Sequence, residues 1–169
     1  MARGFSQVEG LDYSETFSRN LRMASFRSLM ALATILDLEI YHLDVQTAFL
    51  HGDLLEEIYM SQPPGFESSS QPNYVCHLYR SLYGLKQSPK LWFQKFNSFM
   101  LTHGYSRLLS EPNIYIRHKH SPNQFIIVAL YVDDIPLVGT PSEITQAKLE
   151  LSQAFSIIDL GPLSHFLGM

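Results

Sequence analysis

Phe125-Ile126-Ile127-Val128-Ala129-Leu130-Tyr131-Val132-Asp133-Asp134-Ile135-Pro136-Leu137-Val138-Gly139 is the stretch whose reading decides the fold. Two apolar, strand-forming runs flank an Asp-Asp pair with no polar spacer between them. Such a chain is expected to double back as a tight hairpin with both carboxylates at its tip. Carboxylates held against an apolar sheet are costly unless something compensates their charge, and a divalent cation ligated by oxygen is the usual compensator. The hairpin therefore reads as a magnesium site. Taken alone, the pair also has a purely structural explanation, because Asp side chains hydrogen-bond their own backbone in turns.

A third acid shifts the balance. Leu38-Glu39-Ile40-Tyr41-His42-Leu43-Asp44-Val45 is a second strand candidate with Asp44 near its end. Side chains alternate along a strand, so Asp44 shares a face with Leu38, Ile40 and His42. Two strands that each deliver carboxylate at one end of a sheet make the arrangement of a two-metal phosphoryl-transfer site. A paired-carboxylate glycosidase fits poorly, since adjacent acids at one hairpin tip cannot flank a sugar from opposite sides.

Outward from these strands the pattern alternates between helix and strand. Apolar positions at helical spacing from Met23 to Ala33 predict a helix of about 14 residues. Gln46 to Leu50 predicts a short helical turn ending at Gly52. Residues 57–80 read as short strands around the turn Gln62-Pro63-Pro64-Gly65, with a polar loop over 68–73. A second helix opens at Ser88 as N-cap with Pro89 first, carries Trp92, Phe96, Phe99 and Met100 on one face, and stops at Gly104. Ile114–Arg117 and Phe125–Tyr131 form a hairpin across a Ser-Pro-Asn-Gln turn. A third helix begins at Thr140 with Pro141 in its first turn and Glu143 placed for a capping box. Gly161-Pro162 precedes a terminal strand-like segment. Hairpins rather than regular βαβ units predict an α+β fold, an antiparallel sheet backed by helices. No repeat or linker divides the chain, so residues 1–169 read as a single domain.

Composition narrows the function classes. The chain has 169 residues, 46% of them hydrophobic, enough for one sizeable core. No run approaches the roughly 20 apolar residues of a membrane span, so no membrane partner is expected. Met1-Ala2-Arg3-Gly4 has no apolar signal core, and secretion is not indicated. The one cysteine, Cys76, lies in an apolar-rich run and reads as a buried, inert thiol. The histidines show no zinc spacing, and His118-Lys119-His120 reads as a solvated turn. The net charge of −4 is awkward for gripping nucleic acid, but it is unevenly spread. Residues 37–67 carry seven acids and no Lys or Arg, whereas residues 80–119 carry seven bases and one acid, Glu111. That division fits a metal-binding side and a phosphate-binding side, and ordinary surface patchiness also produces it.

The chain resembles the reverse transcriptase domain of copia-type long-terminal-repeat retrotransposons. The stretches that carry the likeness are ARGFSQVEGLDYSETFS (2–18), LDVQTAFLHGDLLEEIYMSQPPGF (43–66), LYRSLYGLKQSPKLW (78–92), YVDD (131–134) and FLGM (166–169). The resemblance implies a polymerase palm-like sheet with partial fingers and no thumb, truncated at both ends. It implies RNA-directed DNA polymerase activity on a primed RNA or DNA template with deoxynucleoside triphosphates. Asp44, Asp133 and Asp134 become the catalytic, metal-ligating acids for two Mg²⁺ ions, with Mn²⁺ as a substitute, and Asp134 carries the smallest share. Phe49 falls where the family places a bulky aromatic under the sugar, which would reject a 2′-hydroxyl; packing in the core is its other reading. Gly84, Lys86 and Gln87 lie in the loop that abuts the nascent base pair, and Tyr131 falls near the primer terminus. The helix N-terminus at Ser88 would offer donors to phosphate. Phe166-Leu167-Gly168-Met169 resembles the start of the primer-gripping hairpin. Integrase and ribonuclease H domains of a Pol polyprotein are implied companions, in a cytoplasmic virus-like particle.

Departures from the family pattern bear on activity. Arg19-Asn20-Leu21 replaces the usual Pro-Val-Val. Pro136 follows the Asp pair where an aliphatic residue is expected, removing a ladder N–H and threatening the position of Asp134. A polymerase without its thumb holds duplex poorly, so processive synthesis by these residues alone is not expected. A catalytically silent relic and a non-catalytic nucleic-acid-binding module remain the alternative readings.

Overall fold

In chain order the elements are α1 (Met23–Ile35), β1 (Glu39–Val45), β2 (Asp53–Ser61), β3 (Val75–Arg80), α2 (Ser88–Thr102), β4 (Ser106–Arg107), β5 (Ile114–His118), β6 (Phe125–Ala129), β7 (Asp134–Gly139), α3 (Pro141–Ala154) and β8 (Ile157–Pro162). These come from a computed structural model that describes residues 2–118 and 124–168. The expected turn at Ser121-Pro122-Asn123, the Lys119-His120 pair and Met169 lie outside the described residues. The chain divides into two compact units: the described parts of Met1–Ser18 with Phe49–Lys95, and of Arg19–Ala48 with Phe96–Met169.

The second unit is built on a six-stranded sheet in the order β4-β5-β6-β7-β1-β8, every neighbouring pair antiparallel. Strand alternation then sorts side chains to two faces. Ile127, Ala129 and Val138 form one core with Phe26, Leu29 and Ala33 of α1. Ile126, Val128 and Leu137 point the other way and are fully buried, and α3 packs on β6 and β7 with Ile144, Ala147 and Leu151 buried. Positions 40, 42 and 44 of β1 belong to the α1 face, where Ile40 borders that core. The α+β class is thus the observed one.

The first unit contains the two-stranded β2–β3 sheet and a 3-10 turn at Gly4–Ser6. Gln62 organises the connecting loop, donating from Nε2 to the Gln71 and Tyr74 carbonyls and accepting from Ser68 N–H. The expected helical turn after β1 is a 3-10 helix over Ala48–His51.

Four local expectations need correction. The strand near Gly161-Pro162 contains that dipeptide instead of following it: β8 ends at Pro162, and residues 163–168 form no strand. There Phe166 turns inward, 3% exposed, against Phe26 at 4.2 Å, so burial of a large ring wins over extension. Ser88 does not cap α2; its hydroxyl donates to the Leu82 carbonyl. Thr140 sits at the N-cap of α3 but makes no side-chain cap bond, and Glu143 is buried at 2% exposure, so no capping box forms. Cys76 is free and only half-buried, on a strand whose alternate residues face water.

Candidate active site

Between β6 and β7 the hairpin closes with two reciprocal bonds, Tyr131 N–H to Asp134 O and Asp134 N–H to Tyr131 O, both 2.9 Å. Only Val132 and Asp133 remain as loop residues. Asp133 is therefore at the tip, while Asp134 is the first residue of β7, a refinement of the expectation that both acids cap the turn. A two-residue loop of this kind calls for a positive φ at its first position, and Val132 adopts +57°. A β-branched residue in that region is strained by about 1–3 kcal/mol, which the paired strands on either side must hold in place.

Next to the hairpin lies β1. Its register with β7 runs unbroken from Glu39↔Gly139 to Asp44↔Asp134, and Val45 N–H donates to the Asp133 carbonyl at 2.8 Å. Asp44 and Asp134 are thus direct cross-strand partners on one face, with Asp133 beside them in the turn. Like charges in that relation repel. The Asp44 carboxyl is accordingly raised above its ordinary range, first by burial, then by Asp133 and Asp134, with His42 acting weakly the other way.

Pro136 leaves this register intact. Asp134 N–H points toward β6, and residues two apart on a strand point the same way, so the N–H missing at 136 belongs to the β6 side. The described β6–β7 pairing stops at Val128↔Leu137 and resumes only at the Tyr131↔Asp134 bridge. The β1 side keeps its pairs.

Two residues emerge that the sequence reading did not single out. His42 places Nε2 2.6 Å from Asp134 Oδ1, with both side chains largely covered. Alternation on β1 had already put His42 on the face of Asp44, and that was the available signal. Asn113, 2% exposed, brackets Leu130: its carbonyl accepts Leu130 N–H at 2.9 Å and its Nδ2 donates to Leu130 O at 3.1 Å and Arg19 O at 2.9 Å. This clamp extends the β5–β6 pairing to the residue just before Tyr131. Nothing in the local pattern announces it. Tyr131 is half-buried, edge-on to Phe166 at 6.2 Å.

Three carboxylates on two strand ends are the hard oxygen donors that Mg²⁺ or Mn²⁺ takes, so the donor chemistry fits. Among the described residues, however, no three His, Cys, Asp or Glu side chains close around one point. The acids are near enough to repel but do not form a finished cage, and Asp134 leans on His42.

The remaining expected site residues belong to the first unit. Phe49 is half-buried, its ring 4.7 Å from that of Tyr83. Gly84 has φ +101°, a conformation only glycine adopts freely. Lys86 is exposed, but its Nζ donates to the Gln7 carbonyl and the Tyr13 hydroxyl and lies 4.9 Å from the Tyr13 ring centre. Gln87 is 1% exposed and bonded internally, donating to the Asp12 carbonyl and accepting from Gln7 Nε2. Its amide braces the loop from within the unit.

An acid-tipped hairpin thus lies in register with an acid-bearing strand. The family "Reverse transcriptase (RNA-dependent DNA polymerase)" matches residues 1–169, and the chain belongs to that family. It is 49% identical to the retrovirus-related Pol polyprotein from transposon TNT 1-94 of Nicotiana tabacum, an alignment covering 100% of this chain and 13% of the relative. It is 39% identical to the Pol polyprotein from transposon RE1 of Arabidopsis thaliana, over 100% of this chain and 12% of the relative. A putative transposon Ty5-1 protein of Saccharomyces cerevisiae is 41% identical over 75% of this chain and 41% of its own length. The chain therefore spans a small part of the Pol polyproteins that it matches. Among the described residues no helix is long and apolar enough to cross a membrane.

Proposed function

We propose that this chain is the palm with partial fingers of one copia-type reverse transcriptase domain, acting as an RNA-directed DNA polymerase within a Pol polyprotein. The observation that carries the reading is the Asp44↔Asp134 register with Asp133 in the adjoining turn. In this reading Asp44 and Asp133 hold a pair of Mg²⁺ ions, with Asp134 in support. When bound, the cations polarise the primer 3′-hydroxyl and neutralise charge on the triphosphate of the incoming deoxynucleotide. The chain's own part is positional. Val45 N–H fixes the Asp133 backbone, Asn113 fixes Leu130, and Val132 takes up the strain of the turn that carries Asp133. Asp44 holds a proton more readily than an ordinary aspartate, so cation and proton compete there.

Substrate-binding roles for Phe49, Gly84, Lys86, Gln87 and Tyr131 rest on their motif positions. Template with primer, deoxynucleoside triphosphates, the integrase and ribonuclease H parts of the polyprotein, and a cytoplasmic particle belong to the same proposal. Primer extension on an RNA template with Mg²⁺, by this chain joined to the polyprotein segment that follows it, is the test. Extension that Asp133→Asn abolishes supports the reading. Salt-dependent binding of primer–template without extension assigns the chain to the non-catalytic readings instead.

A further inference from the structure

His42 is an unusual neighbour for an acid that is expected to take a cation. Its Nε2 lies 2.6 Å from Asp134 Oδ1, and its side chain is 14% exposed against 23% for Asp134, so the contact is shielded from water. The ring is itself held, edge-on to Phe166 at 5.7 Å, and Phe166 is stacked on Phe26 of α1. Register explains the geometry. His42 is opposite Pro136 and Asp44 is opposite Asp134, so His42 is the diagonal neighbour of Asp134 on the same face, one pleat farther from the hairpin tip. The Asp134 carboxylate therefore leans along the sheet, away from Asp133. This fits the finding that, among the described residues, no three acids close around one point.

We propose that His42 is a positioning residue that acts as a catch on Asp134, committing one of its oxygens to the imidazole and leaving Asp44 and Asp133 as the principal cation ligands. The proposal deepens the reading of the acid site and rests on it. Release of the catch lets Asp134 join the other two acids, so His42 governs how many carboxylates the cation meets.

The test is a double-mutant cycle read by Mn²⁺ titration of the 169-residue chain, followed by electron paramagnetic resonance and needing neither nucleotide nor turnover. With His42 present, Asp44→Asn and Asp133→Asn each weaken Mn²⁺ binding by about tenfold or more, whereas Asp134→Asn changes it by less than about threefold. With His42→Phe, which keeps a ring against Phe166 and removes the donor, Mn²⁺ binds several-fold more tightly. In that background Asp134→Asn costs about tenfold. His42→Gln, which retains an N–H donor, behaves like the parent chain. Thermal melts establish that each variant is folded, and His42→Leu serves if the Phe variant is not. An equal Asp134→Asn effect in both backgrounds overturns the catch while leaving the site intact. Failure of Asp44→Asn and Asp133→Asn to change Mn²⁺ binding overturns the site reading, and the catch with it.

Discussion

Two sets of acids in the sheet-bearing unit are both pushed upward by burial and end on opposite sides of the ordinary carboxyl range. For Glu111, burial pushes the carboxyl up, but hydrogen bonds from Arg22 and Ser25 outweigh it and the net shift is downward. Burial likewise opposes, and loses to, Gln146 and Arg117 at Glu150 and to Lys148 and the Gly161 N–H at Asp159. At Asp44 burial is reinforced by Asp133 and Asp134, and the shift is upward. The difference lies in the sign of the neighbours. Acids that meet donors hold the fold together, and the acid that meets acids is the one the proposed function assigns to a cation. Mutations should therefore separate function from stability along the same line.

The largest effect is expected from Asp133→Asn. Primer extension should fall by about a thousandfold or more, as for groups that bear directly on transition-state charge. Its thermal midpoint should stay level or rise, because a repulsive neighbour of Asp44 is removed. A marked drop in midpoint would place Asp133 with the structural acids. Arg117→Ala should cost about 3 kcal/mol in urea unfolding, since the 2.8 Å Glu150 pair is 12% and 16% exposed and its loss strands a covered carboxylate. The ring of Tyr105, 4.3 Å from the guanidinium, loses its cation as well. Glu111→Ala should cost less, about 2 kcal/mol, because Arg22 is 64% exposed and can turn to water, leaving mainly the hydrogen bonds to lose.

Acid titration sharpens the same comparison. Glu111, Glu150 and Asp159 have depressed folded values, so their contribution is present above the ordinary carboxyl range and disappears as pH falls through those values. Asp44 has a raised folded value, so its contribution is full below the ordinary aspartate range and is lost as pH rises through the folded value. Unfolding free energy measured from pH 7 downward should decline more steeply in Asp44→Asn than in the parent, because an opposing group has been removed. A parallel pair of curves would contradict the Asp44 assignment. The smallest effect belongs to Val132→Gly, expected to stabilise by up to about 1 kcal/mol as the positive φ is relieved. Destabilisation would mean that the valine side chain contributes more than its backbone costs.

Much of this was legible in the chain because it depends on period and register. The alternation through Leu38–Val45 and the apolar runs around 131–134 placed Asp44 and the hairpin, and a two-residue loop leaves the ladder little choice. The helices starting near 23, 88 and 141 follow from apolar spacing and Pro at the first turn. What escaped depends on competition for partners. Ser88 and Thr140 look like caps, yet nearby backbone geometry decides where a hydroxyl points. The internal bonds of the Gln87 amide, to Gln7 and to the Asp12 carbonyl, join residues far apart in the chain and leave no local pattern. Phe166 looks like the start of a strand, and the opening between Phe26, His42 and Tyr131 draws it into the core. The His42–Asp134 contact depends on a diagonal across two strands, which only the exact pairing defines.

The convergence of Asp44 and Asp133 on a shared cation is tested most directly by an anomalous difference map from crystals grown with Mn²⁺. A peak about 2.0–2.3 Å from carboxylate oxygens of both residues is the expected result. Manganese bound elsewhere, with Asp44 turned away from the Val132–Asp133 loop, would contradict it.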